Sequence, residues 1–314
     1  IEATNPCGEV PLYPYESCNL GYVNLTKFID VENKSFDIER LKKVMSIATR
    51  LMDNVIDASW FPVREVSESV RNHRRLGMGC VGFADTLTML GITYGSVESI
   101  DFAEKISKAM YESSFNASCD IAKEKGPFPF INDSIWADTV QKPRNVALIT
   151  FPPSSGNAVI CETSFGVEPH FALAYLQNVM GGNKFYKVND LLTKVLKDNN
   201  LYSEELIGKI SDNHGSLDGI VEVPEYIRNI FKVAHDVTWE EHIRIQAAFQ
   251  RYTDNAITKT INMPSDITVQ DVKDAYMLAY DLGCKGLTIY RDQSKAEQVF
   301  SFGKESEKKD ESIK

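Results

Sequence analysis

Asn5, Cys7 and Glu9 stand at i, i+2 and i+4 in Asn5-Pro6-Cys7-Gly8-Glu9, placing an amide, a thiol and a carboxylate within one pentapeptide. Asn-Pro and Cys-Gly are turn-forming pairs, so a tight loop is expected, and extended flanks would send all three side chains the same way. In such a loop the carboxylate takes a proton, the amide orients a hydroxyl, and the sulfur does nucleophilic or one-electron chemistry. A nearby carboxylate raises a thiol's pKa, which suits a neutral thiol or a thiyl radical better than a thiolate nucleophile. The competing reading is a buried cysteine in an ordinary turn with Glu9 in solvent. The pentapeptide alone does not separate the two.

A second constellation follows the apolar run 146–151 (VALITF), read as a buried strand. Pro152 and Pro153 end it, and Ser154, Ser155, Gly156 and Asn157 lead into a helix-like segment. A strand, a small-residue turn and a helix N-terminus together offer free amide N–H groups to an anion, and small side chains let a phosphate approach. An ordinary capped turn explains the same pattern. Gly77, Gly79 and Gly82 in LGMGCVG match a dinucleotide fingerprint by letter, but the preceding RNHRR is no strand, so glycine-permitted close packing of a helix is the expectation. Cys18, eleven residues after Cys7, forms no Cys-x-x-Cys pair, and His73, His170, His214, His235 and His242 are scattered. No protein-ligated metal site is expected. Cys80, Cys119, Cys161 and Cys284 read as core thiols.

These groups need elements to hold them. Ser35 reads as an N-cap with Asp37 in the first turn, followed by an apolar face of Leu41, Val44, Ala48, Leu51 and Val55. Thr238 and Glu241 have capping-box spacing before Ile245, Phe249, Tyr252 and Ala256. Thr268 and Asp271 open a further helix with Val272, Ala275 and Ala279 inward and Gly283 as its stop. Continuous apolar strands at 146–151 and 286–290 between helices point to an α/β fold with mostly parallel, covered strands. The chain has 314 residues, 43% apolar and 25% charged, which excludes wholesale disorder. A net charge of -10 argues against a nucleic-acid or anionic-membrane surface, and no apolar run is long enough to span a bilayer. Six cysteines without a secretory leader fit a reducing cytoplasm. The expected layout is one domain over 1–295 and a charged, disordered tail over 296–314.

Several blocks together resemble the large catalytic chain of ribonucleotide reductases, in that family's order: NPCGEVPLYPYESCNLGYVNL, RRLGMGCVGFADTLTMLGI, FGVEPHFALAY, QAAFQRYTDNAITKTINMPSDIT and LGCKGLTIYRDQS. The resemblance runs from Asn5 to about Ser294. It is closest to the adenosylcobalamin-dependent class II, because Tyr290 stands alone between Ile289 and Arg291 where class I chains usually carry a Tyr-Tyr pair.

The resemblance implies the second half of a ten-stranded α/β barrel, with the active-site finger loop at the N-terminus, the Cys7 loop, reaching into its centre. It implies that Cys7 becomes a thiyl radical and takes the 3′ hydrogen of a ribonucleotide, that Glu9 accepts the 3′-hydroxyl proton, and that Asn5 holds the sugar hydroxyls. Cys18 would be one of two reducing thiols, and Pro153, Ser154, Ser155, Gly156 and Asn157 would hold the phosphates. Adenosylcobalamin is the implied cofactor, a thioredoxin-like or other dithiol the reductant, and a homodimer the assembled state. Family members often carry Ser or Thr where this chain has Gly156 and Ala158, which leaves more of the phosphate contact to the backbone. The other redox cysteine, the specificity region and a C-terminal Cys pair have no counterpart here, so the expectation is a piece of a longer or split protein, inactive without its N-terminal half. The rivals are a class I chain served by a separate radical-generating subunit and a non-catalytic nucleotide-binding remnant. A plain thiol oxidoreductase is weaker, since Cys7 and Cys18 lack the Cys-x-x-Cys spacing.

Overall fold

The computed structural model of the chain describes residues 1–178, 184–292 and 294. The stretch 296–314, expected to be a charged tail, lies outside them. The chain opens with an antiparallel hairpin, β1 (Ala3–Thr4) against β2 (Pro11–Leu12), whose tip is the turn at residues 5–9. After β3 (Asn19–Asn24) come the small pair β4 (Ile29–Asp30) and β5 (Ser35–Phe36), the helices α1 (Ile38–Ala58) and α2 (Arg64–His73), and β6 (Leu76–Val81). The helices α3 (Phe83–Leu90), α4 (Val97–Lys125) and α5 (Ser155–Cys161) follow. A satellite with its own apolar core holds β7 (Ala174–Asn178), β8 (Lys184–Val188), α6 (Asp190–Asp198), α7 (Glu204–Asp212) and α8 (Glu225–Ile230). The described chain closes with α9 (Trp239–Gln250), β9 (Thr260–Met263), α10 (Val269–Asp281) and β10 (Thr288–Arg291).

Parallel pairing sets a single order of neighbours. β3 pairs with β6, Met78 bridges to Ile149, Phe151 bridges to Ile257, and β9 pairs with β10. The run is therefore β3, β6, 146–151, 256–263 and β10, an α/β sheet with helices between its strands, as the sequence pattern implies. Among the described residues β3 pairs only with β6, and β10 only with β9. Residues 146–151 touch their neighbours by bridges rather than a full ladder. The reason is local: the Asp254 carboxylate takes Leu148 N (2.8 Å) and Ile149 N (2.7 Å), amides a neighbouring strand would otherwise use.

The sheet has two unlike faces, as strand alternation requires. Leu76, Met78 and Cys80 pack into the main core with Leu41, Met45, Phe83, Ile106 and Phe249. On β3, Asn19 and Gly21 turn to α1, Asn19 Nδ2 donating to Met52 O at 2.9 Å. Cys18, Leu20 and Tyr22 therefore look the other way. A Cβ on Gly77 would lie 2.6 Å from Leu20 Cδ2 and 2.8 Å from Cys18 Sγ, and one on Gly79 would lie 2.6 Å from Thr150 O. Gly77 and Gly79 of LGMGCVG thus belong to a strand, not to a helix contact, and keep this face low beside Cys18, while Gly82 opens α3 at φ 79°.

Three local expectations need correcting. Asp37, not Ser35, caps α1, accepting from Arg40 N at 2.9 Å, because Ser35 is used by β5. The buried row of α1 is Leu41, Met45, Thr49, Met52, Asp53 and Ile56, while Leu51 is 61% exposed and Val55 38%. Buried Asp53 draws the helix round, since its carboxylate bonds Arg74 Nε (2.8 Å) and Asn145 Nδ2 (3.0 Å). Finally, α9 ends at Gln250, and Ala256 lies beyond it, just before the Ile257 bridge, after a turn in which Lys285 Nζ collects the carbonyls of Thr253, Asp254 and Asn255. Both capping boxes, Thr238 with Glu241 and Thr268 with Asp271, are formed, and Gly283 ends α10 at φ 78°. No helix among the described residues is long and apolar enough to cross a membrane.

Candidate active site

The hairpin tip is built by its own backbone. Asn5 N donates to Val10 O (3.2 Å), Gly8 N to Asn5 O (3.0 Å), and Val10 N to Asn5 Oδ1 (3.0 Å). Gly8 sits at φ 84°, a conformation that favours glycine. The flanks are extended but the tip is a turn, so the three side chains do not share one direction. Cys7 is exposed, Asn5 half-buried, and Glu9 only 1% exposed.

The tip is fastened to the middle of the sheet. Glu9 O accepts from Ala256 N (2.8 Å) and from Thr150 Oγ1 (3.0 Å). The Glu9 carboxyl Oε2 is 2.9 Å from Thr258 Oγ1, which also stands 2.7 Å from Cys7 O. A hydroxyl has one hydrogen to give. When Glu9 is ionised, the carboxylate and the Cys7 carbonyl compete for it. When Glu9 carries a proton, the acid donates to Thr258, Thr258 donates to Cys7 O, and both are satisfied.

Behind the tip, Arg75 Nε bonds Glu16 Oε1 (2.8 Å) and its Nη1 bonds Asn255 Oδ1 (2.8 Å), while Tyr13 N donates to Glu16 Oε2 (2.9 Å). This buried network ties the return leg of the hairpin to the strands. Cys18 lies beside it with a little surface left. Burial pushes its thiol up to about 12, against the opposing pull of the Arg75 guanidinium, and Glu16, Asp254 and Glu9 push the same way as burial. Cys18 is held as a neutral thiol.

At the carboxyl end of 146–151, Ser154 begins α5 without a side-chain cap, and its Oγ is buried with no hydrogen-bond partner. Ser155, Gly156 and Asn157 are exposed, and the first amides of a helix have no carbonyl within it to bond. Ala158 is fully buried, so a hydroxyl at that position would face the interior.

Tyr22 connects the two regions. Its hydroxyl donates to Pro153 O at 2.9 Å. Burial raises its pKa, the nearby Asn157 side chain opposes that rise, and charge on Glu9 and Cys7 adds to it. The structure therefore brings the tip and the turn at 153–157 to one face. Sequence reading missed Tyr22 and Thr258. Alternation from Cys18 along β3 reaches Tyr22, whereas no local signal marks Thr258. Cys161 is exposed rather than a core thiol, Cys119 and Cys284 are half-buried, Cys80 is buried, and all six cysteines are free. Among the described residues no three His, Cys, Asp or Glu are grouped to hold a metal ion.

Fold and site together define an α/β protein whose short hairpin carries a thiol and a carboxylate onto one face of a parallel sheet. The chain belongs to the ribonucleotide reductase barrel-domain family, whose model matches residues 1–144 and 137–290. It is 42% identical over 311 residues to a vitamin B12-dependent ribonucleoside-diphosphate reductase of Thermoplasma acidophilum, covering 99% of this chain and 40% of that protein. A protein of the same description from Mycobacterium tuberculosis is 37% identical, over 96% of this chain and 42% of the relative. A ribonucleoside-diphosphate reductase subunit alpha of Chlamydia pneumoniae is 26% identical, over 96% of this chain and 32% of that one. The fold is shared with the class Id ribonucleotide reductase alpha subunit of Actinobacillus ureae, at TM-score 0.75 and 23% identity, covering 93% of this chain and 53% of that one. The chain thus spans about 40% of the length of its B12-dependent relatives.

Proposed function

We propose that this chain is the C-terminal catalytic portion of a class II ribonucleotide reductase, reducing ribonucleoside diphosphates to 2′-deoxyribonucleotides by a thiyl radical on Cys7. The observation that carries the reading is the hairpin tip, with an exposed thiol and a buried, Thr258-bonded carboxyl two residues apart on the inner face of the sheet. Identities of 42% and 37% to B12-dependent reductases, against 26% to a subunit alpha, favour class II.

Cys7 takes the 3′ hydrogen of the ribose and returns it at the end of the cycle. Glu9 receives the 3′-hydroxyl proton, and the Thr258 hydroxyl beside it then donates to Cys7 O. Asn5 has its oxygen occupied by Val10, so its NH₂ is the part offered to a sugar hydroxyl. The 2′-hydroxyl leaves as water. Two electrons come from Cys18 and a second thiol of the complementary half-barrel, which end as a disulfide that an external dithiol, such as a thioredoxin-like protein, reduces again. The turn at Pro153, Ser154, Ser155, Gly156 and Asn157 holds the phosphates chiefly by backbone amides, with the unpartnered Ser154 Oγ as an added group. The exposed Cys7 sulfur is open to a radical source from outside the chain, and adenosylcobalamin, when bound, would supply that one-electron chemistry. Because Cys7 must stay a free thiol and the disulfide formed by Cys18 must be reduced again after each turnover, the reading places the protein in the reducing cytoplasm, within a homodimer of assembled barrels.

The test joins this chain to its complementary half and assays ribonucleoside diphosphate reduction with a dithiol. Formation of deoxynucleotide that depends on adenosylcobalamin is the expected result, with no turnover from Cys7→Ser. Turnover without the cofactor would exclude class II, and full turnover from Cys7→Ser would exclude the radical role.

A further inference from the structure

We propose that Tyr22 is a positioning residue for the nucleotide's diphosphate, clamping the turn at 153–157 at a set distance from the Cys7 tip. The inference rests on the ribonucleotide-reducing reading of this site and assigns a part of it that the family match and the relatives leave open.

Tyr22 lies on the same face of β3 as Cys18 and Leu20 and stands in register with Gly79, a residue without a side chain. Its partner on β6 therefore offers it no side chain to pack on. It belongs to none of the buried apolar clusters and is only half-buried, so packing does not account for it. Its hydroxyl instead reaches across 131 residues of sequence to donate to Pro153 O at 2.9 Å. Pro153 has no N–H and a fixed φ, so its carbonyl is the natural handle on the first residues of the turn. Holding that carbonyl orients the peptide leading into Ser154 and, through it, the amides of Ser155, Gly156 and Asn157. The Asn157 side chain also lies close to the phenol and opposes the burial-driven rise in its pKa. A substrate with its ribose at Cys7 and its phosphates at the turn must pass along this ring.

Tyr22→Phe keeps the ring and removes the clamp. Binding is measured by calorimetry on the assembled enzyme, with a ribonucleoside diphosphate and with the corresponding nucleoside. Loss of one hydrogen bond predicts diphosphate affinity weakened about fivefold, with the nucleoside affinity kept and the melting temperature held. In turnover the loss falls on KM rather than kcat. Equal affinity of variant and wild type for the diphosphate would overturn the proposal, as would a parallel loss for diphosphate and nucleoside. A wild type that does not prefer the diphosphate over the nucleoside overturns it as well, together with the phosphate-turn assignment. Since binding needs no chemistry, a wild type that binds selectively but yields no deoxynucleotide defeats the reductase reading and leaves Tyr22 supported if the fivefold selective loss is seen.

Discussion

Thr258 is the residue on which the proposed proton transfer turns, because its one hydroxyl hydrogen lies between the Glu9 carboxyl and the Cys7 carbonyl. Thr258→Val is nearly isosteric, yet it leaves a 1%-exposed carboxyl without that partner. We expect kcat to fall roughly tenfold or more with KM little changed, and Thr258→Ser to recover most of the rate. Loss in Thr258→Val that Thr258→Ser does not rescue would point to packing instead. Cys18 gives a second residue-level expectation. Its burial-raised thiol stays protonated at about pH 8, so iodoacetamide should label Cys7 and Cys161 first and Cys18 only on unfolding. As pH climbs from 9.0 towards about 12, the unfolded chain ionises this thiol and the folded chain does not, so its contribution to stability falls across that window. At this scale the sequence was legible where chemistry is local. Asn5, Cys7 and Glu9 sit within five residues, whereas Thr258 is 249 positions from Glu9 and only folding joins them.

The strand β6 shows how an element serves the site by what it omits. Its outer residues Leu76, Met78 and Cys80 fill the core, while Gly77 and Gly79 leave the inner face low. A methyl at Gly77 would meet Leu20, Cys18 and Thr150 side chains within 2.9 Å, and one at Gly79 would meet the Thr150 backbone oxygen at 2.6 Å. Side chains can shift and a backbone oxygen in mid-sheet cannot, so Gly79→Ala should be the more costly, by about 1–3 kcal/mol, with Gly77→Ala smaller but displacing Cys18. Urea melts and Cys18 alkylation rates check both. If Gly79→Ala melts like wild type, the close approach is not what that glycine provides. Elements were legible wherever a local signal dominates, as in the two capping boxes and the Gly283 stop. They were misread where a long-range partner overrides periodicity: the apolar pattern of α1 points to Leu51 and Val55, but Asp53 is buried by its bonds to Arg74 and Asn145.

Across the whole molecule, the parallel order β3, β6, 146–151, 256–263, β10 has its site on one face and an unpaired strand at each side among the described residues. Unpaired strand edges invite pairing. On the proposed reading the hairpin tip also needs a second wall, since Cys7 is exposed on this chain while the proposed radical chemistry requires water to be kept away. Under the proposed function both needs would be met by one event, closure by a complementary half-barrel. The resemblance stated that architecture, but composition and periodicity alone reached only a parallel α/β sheet, because nothing local encodes which surfaces await another chain segment. We therefore expect this chain, mixed with the complementary half, to form a one-to-one unit in which the amides of β3 and β10 gain protection from hydrogen exchange and Cys7 loses its reactivity towards iodoacetamide. The two changes should titrate together, since the same closure produces both. If β3 and β10 are already protected in the isolated chain, or if Cys7 stays reactive when the edges are covered, the site is not completed by closure of the barrel and the catalytic wall must be sought elsewhere.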